Sequence, residues 1–308
     1  MGIALEARRL DVIERVYKES KDTELLSYVM DAVLDTGFTL SYRDQVLNFL
    51  LPLFPPPTAH SAHIPALTRL LVTLSSTSLS IQLLQSLVPS DTLLAYQFAF
   101  DFVEGGTQDF LESVRTALPQ GEGEQAPVYD RLRLILSGEE SIRHYRDFLS
   151  RNNNTDLLIL KSTKEALEAR SSIYHNAVTF SNAFMHCGTA SDQFLRENLD
   201  WLHKAANWGK FSATAALGVI HKGYFETGMD LLGPYLPSDD AGSTGSVFSE
   251  GGALYGLGLV NAGKGSNVEQ YLREKLKNIQ NEVVQHGAAL GLGIAGMASG
   301  SEGELEYT

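Results

Sequence analysis

The sequence predicts an all-α fold, a solenoid of stacked helical hairpins, and three observations carry that prediction. Apolar residues recur at helical spacing along nearly the whole chain. No long alternating strand pattern is present. One glycine-rich segment also repeats. Gly252-Ala-Leu-Tyr-Gly256-Leu-Gly258-Leu returns as Gly287-Ala-Ala-Leu-Gly291-Leu-Gly293-Ile, with a looser copy at Ser212-Ala-Thr-Ala-Ala216-Leu-Gly218-Val. Gly218 and Gly258 are 40 residues apart, and Gly258 and Gly293 are 35 apart. A period between about 20 and 50 residues marks stacked repeat units. Such arrays present surfaces to partners, which tilts the reading from catalysis toward scaffolding.

The elements follow in order. Leu5, Leu10, Ile13 and Val16 predict one amphipathic helix. Leu25, Val29, Ala32 and Val33 predict a second, and Val46, Leu47, Leu50 and Leu51 a third. The run Pro52-Leu-Phe-Pro-Pro-Pro57 stops the third, because proline lacks the amide donor and clashes with the preceding turn. Helices are expected at 63–75, 79–87, 91–103 and 107–118, with Ser90-Asp91 capping one of them. Pro119 to Pro127 is polar and acidic and reads as a linker. Helices resume at 128–137, 139–150, 156–168, 171–186 and 190–205.

From residue 207 the texture changes. Small residues crowd one helix of each unit, from Ala213 to Gly218 and from Gly251 to Gly258. Each mid-helix glycine costs about 0.5–1 kcal/mol relative to alanine. A series in phase needs an offsetting gain, and close backbone approach between helices supplies one. The packing positions read this way are Gly218, Gly256, Gly258, Gly291 and Gly293. Conventional amphipathic helices follow at 225–235 and 267–279. An exposed loop at 237–246, with the acidic pair Asp239-Asp240, separates the units. A third unit starts near Glu282 without its second helix, so the array reads as truncated, and Glu302, Glu304 and Glu306 read as a solvated tail. The domain expectation is a helical rod over 1–206 and a repeat array over 207–308.

Composition narrows the function. The 308 residues carry a formal charge of −13, which argues against a nucleic-acid backbone or an anionic membrane as main partner. One cysteine, Cys187, excludes an intrachain disulfide framework and fits a reducing compartment. The segment Gly291-Leu-Gly293-Ile-Ala-Gly296 matches a dinucleotide-binding pattern, but the position matching Gly296 is Asn261 or His221 in the sister copies. Helix packing is the preferred reading, with a dinucleotide-binding enzyme the weakest alternative. His60 and His63 have metal-ligand spacing but no third ligand nearby, and a polar loop is expected. In His186-Cys187, adjacent helical residues diverge, so a buried thiol at a helix end is expected rather than a catalytic pair. No catalytic, cofactor or metal site is predicted.

The repeats resemble the proteasome/cyclosome-repeat family. Several longer segments narrow the resemblance to the larger non-ATPase scaffold subunits in the base of the proteasome regulatory particle. Among them are Gly2-Ile-Ala-Leu-Glu-Ala-Arg-Arg, Arg151-Asn-Asn-Asn-Thr-Asp-Leu157, Phe184-Met-His-Cys-Gly-Thr189 and Leu217-Gly-Val-Ile-His-Lys-Gly223. The resemblance implies a rod leading into a toroid of helical-hairpin repeats, incomplete here. It further implies a non-enzymatic scaffold in a hetero-oligomer with the ATPase ring, lid subunits and a ubiquitin receptor. The alternative is a sister scaffold, either the other one of the proteasome base or a large anaphase-promoting-complex subunit.

Overall fold

The computed structural model describes every residue except 36, 168–170, 238–245, 266–267 and 300–308. Asp239-Asp240, most of the 237–246 loop and the acidic tail lie outside the described residues. Among the described residues there are nineteen α-helices, three short 3-10 turns and no strand, so the all-α expectation is met. The chain divides into two compact units, Met1–Ser141 and Ile142–Thr308.

The first unit contains α1 (Gly2–Glu6), α2 (Leu10–Ser20), α3 (Glu24–Asp35), α4 (Leu40–Leu50), α5 (Ile64–Thr73), α6 (Thr77–Leu87), α7 (Thr92–Gly105), α8 (Gln108–Ala117) and α9 (Ala126–Leu136). Its core is made of large side chains. Leu26, Val29 and Val33 of α3, Val46, Leu47 and Leu50 of α4, and Leu67, Leu70 and Leu71 of α5 belong to one buried cluster. Phe98 and Phe102 of α7 and Phe110 of α8 extend it, and Phe102 meets Phe110 edge to face at 5.7 Å. Burying a side chain of this size contributes about 1.5–3 kcal/mol. Asp91 caps α7 as expected, its Oδ1 accepting from Leu94 N at 3.1 Å.

The first predicted helix is in fact two. Arg8 takes a positive φ of 55°, which breaks the chain between α1 and α2. Tertiary contacts hold the break. The Arg8 guanidinium lies 4.8 Å from the centre of the Tyr42 ring, and Tyr42 Oη donates to Leu5 O at 2.8 Å. The 119–127 segment is not wholly linker, since Gly123–Gln125 forms a 3-10 turn and α9 already starts at Ala126.

α10 (Glu139–Arg151) spans the division. The second unit continues with α11 (Leu157–Ala166), α12 (Ser172–Met185), α13 (Gln193–Glu197), α14 (Leu199–Leu202), α15 (Trp208–Ile220), α16 (Phe225–Leu232), α17 (Val247–Val260), α18 (Glu269–Asn278) and α19 (Glu282–Ala295). The helix expected over 190–205 is two short helices broken at Asn198. Its Nδ2 donates to Phe194 O at 2.7 Å, and its Oδ1 accepts from Lys164 Nζ. An asparagine that bonds locally in this way offers the backbone an alternative to helix.

Candidate functional site: the glycine-packed helix stack

Within the second unit α17 packs directly on both α15 and α19. They are nearly apolar all round, as helices enclosed on several sides must be. Between them the contact is backbone on backbone. A Cβ on Gly218 would overlap the main chain of Gly256, falling 2.6 Å from its Cα. A Cβ on Gly258 would fall 2.6 Å from the carbonyl carbon of Gly291. One on Gly291 would lie 2.5 Å from Leu254 O. Separations this short leave no room for any side chain. Gly256 is less tightly held, with its nearest neighbours at 3.4 Å. Gly293 differs altogether, because it is exposed and no described atom lies within 4 Å of its Cβ position.

Sequence reasoning left three equally tight glycines off the list of packing positions. A Cβ on Gly251 would meet Val283 O at 2.5 Å, one on Gly252 would meet Phe211 Cα at 2.9 Å, and one on Gly287 would meet Gly251 Cα at 2.6 Å. Gly252 and Gly287 open the two clear copies of the motif, so the signal was in the repeat itself.

A second periodic feature links the helices at their C-terminal ends. The last residues of a helix carry carbonyls with no partner inside it. Here the turn after each helix supplies one to the next. Gly188 N donates to Val219 O of α15, Gly223 N to Val260 O of α17, and Gly263 N to Ile294 O of α19, all between 2.9 and 3.1 Å. Each of these glycines has a φ between 69° and 85°, a conformation that a Cβ penalises. The residue that ends each helix is also shared in role. His186 Nδ1, His221 Nδ1 and Asn261 Nδ2 donate to the carbonyl four residues back, at 3.0, 3.1 and 2.9 Å. These residues stand 35 and 40 apart, and Gly296 ends α19 a further 35 on in a similar conformation. The series therefore reaches back to α12, one hairpin upstream of residue 207.

The remaining sequence candidates find plain structural places. Gly291–Gly296 forms the last part of α19 and its C-cap, with no strand before it, so the strand–turn–helix context of a dinucleotide loop is not met. His63 is not in a polar loop. It is buried, with Nε2 3.1 Å from Pro55 O and its ring 5.9 Å from that of Phe54. Cys187 is half-buried rather than buried, just beyond α12, while His186 beside it is fully enclosed. His286 is exposed against Trp208, with ring centres 5.6 Å apart.

This geometry defines an all-α helical-repeat protein whose stack is keyed by glycine. Comparison with known proteins agrees. Residues 1–153 match the family described as "26S proteasome subunit RPN2, N-terminal domain". The chain is 44% identical, over 98% of its length, to a fission-yeast (Schizosaccharomyces pombe) protein named 26S proteasome regulatory subunit rpn2. It is 40% identical over 98% of its length to the Arabidopsis thaliana 26S proteasome non-ATPase regulatory subunit 1 homolog A. Against the Saccharomyces cerevisiae 26S proteasome regulatory subunit RPN2 it is 36% identical over 97%. The chain belongs to the RPN2 family of proteasome regulatory subunits. It spans about a third of the length of these curated relatives, which it covers to 33%, 35% and 32%. No described helix is long and apolar enough to cross a membrane.

Proposed function

We propose that this chain is a scaffold segment of the proteasome regulatory particle, non-catalytic, organising ATPase, lid and ubiquitin-receptor subunits for ubiquitin-dependent protein degradation. The observation that carries this reading is the similarity along 98% of the chain to proteins named as 26S proteasome regulatory, non-ATPase subunits. In this reading residues 1–206 form a helical rod and 207–308 the start of a proteasome/cyclosome repeat array that contributes to a toroid, with the α12 hairpin as its lead-in. Gly218, Gly256, Gly258 and Gly291 are its packing positions, while Gly293 is exposed with no described atom near its Cβ position. The protein works in the cytoplasm and nucleus as part of a hetero-oligomer, with no role for nucleic acid or membrane. A stack locked by main-chain contacts suits that work, because a rigid frame holds partners at fixed separations. Affinity purification of the tagged chain, followed by mass spectrometry, tests the reading. Co-recovery of proteasome ATPase and lid subunits is expected. Recovery of anaphase-promoting-complex subunits instead would contradict it.

A further inference from the structure

A cleft of about 1130 Å³ opens in the first unit between α5 and α7. Ligand sites commonly occupy about 300–1,000 Å³, so there is room here for a segment several residues long rather than a single side chain. Its lip is apolar. Leu93 is 78% exposed, a solvent-facing leucine beside the cleft mouth, and Pro65 and Val72 line the opposite wall. Its described lining carries both acids and a base. Asp91, Asp101 and Glu104 line it, against one cation, Arg69. Arg69 is already paired with Asp31, which is outside the lining, at 2.8 Å.

The floor adds an independent sign of an incomplete site. Thr68 is only 6% exposed, and its buried Oγ1 makes no hydrogen bond of sound geometry, although it lies near enough to Asp101 to favour that carboxylate's charge. A buried hydroxyl left without a well-aligned partner loses the hydrogen bonds that water gave it. Asp101 itself accepts from Gln97 Nε2 at 2.7 Å, and among the described residues no cation forms an ion pair with it. Burial raises its pKa, so the carboxylate is held in a place that disfavours its charge until a counter-charge arrives.

We propose that this cleft is a docking site for a partner-protein segment that presents an arginine or lysine between apolar residues. The cation enters beside Asp101 and Thr68, with Asp91 and Glu104 adding long-range attraction, and the apolar neighbours cover Leu93, Pro65 and Val72. The site draws on no feature of the glycine stack, so the scaffold reading and this one stand or fall separately.

The test is fluorescence anisotropy of the 308-residue chain with a short, capped leucine–alanine peptide carrying one central arginine and a neutral dye. Its twin has citrulline, which is neutral and of the same shape, in place of arginine. A charge-assisted contact predicts that the arginine peptide binds about tenfold tighter or better. Asp101→Asn should bring the twins together, and circular dichroism reports whether that variant is folded. Leu93→Ser, on an exposed side chain that folding does not need, should weaken both twins alike. Equal binding of the twins to the unaltered chain would overturn the proposal. So would discrimination that survives in folded Asp101→Asn, or Leu93→Ser binding both twins unchanged.

Discussion

The two units solve the same packing problem in opposite ways. In the first, helices are held apart by leucine and phenylalanine side chains that fill the space between them. In the α15–α17–α19 stack, helices touch through their main chains, and glycine is required because there is no space to fill. A core of the first kind fails when atoms are removed, whereas one of the second kind fails when atoms are added. The two regions should therefore respond with opposite sign to a change in side-chain size. A frame that must keep its spacing gains from the second solution, since main-chain contact leaves no rotamers through which the helices can readjust.

The largest effect expected is in the first unit. Phe102 is fully buried, with aromatic neighbours at 6.2 and 5.7 Å. Phe102→Ala should destabilise by roughly 3–5 kcal/mol, as such truncations do elsewhere. Urea unfolding followed by circular dichroism measures it. An effect below about 1 kcal/mol would mean that the aromatic cluster is not what holds this unit.

Next comes the smallest possible addition to the stack. Gly258→Ala places one methyl against the Gly291 main chain, and should cost about 1–3 kcal/mol even though alanine is the better helix former. The same substitution at Gly293, the equivalent position of the next copy, meets no described atom. It should stabilise by up to about 1 kcal/mol through helix propensity alone.

The pH response comes last. His175 is buried, stacked on Trp201 with ring centres 4.0 Å apart, and its Nε2 pairs with Trp201 O at 3.2 Å. Its Nδ1 has no partner, and burial lowers its pKa below the usual 6.5. The folded state thus prefers the neutral ring, while the unfolded chain takes up a proton near 6.5. The stability involved is whole above that pH and is lost as pH falls through 6.5 toward the lowered folded value. In His175→Gln the decline of the thermal midpoint below pH 6.5 should be shallower. An unchanged slope would place the titration elsewhere.

Much of the helical layout was legible in the sequence, because apolar spacing reports which face of a helix is buried without reference to its neighbours. The breaks at Arg8 and Asn198 were not, since each is held by residues distant in sequence or by a side chain competing with its own backbone. The α12 member of the capping series was hidden for a different reason. α12 has no glycine, its residues in register with Gly218 and Ala216 being Ala183 and Ser181, so only the turn His186-Cys187-Gly188 betrays the register. Gly293 shows the opposite limit. It matches Gly258 in sequence, but a copy does not say what it packs against. The cleft was illegible because Thr68 and Asp101 meet only once α5 and α7 are packed.

The most direct test compares Gly258→Ala with Gly293→Ala by hydrogen exchange across α17 and α19. The account predicts that Gly258→Ala lowers protection in both helices while Gly293→Ala leaves it equal or higher. Equal effects of the two substitutions would contradict it, because the glycines would then matter only as residues and not for the main chain they face.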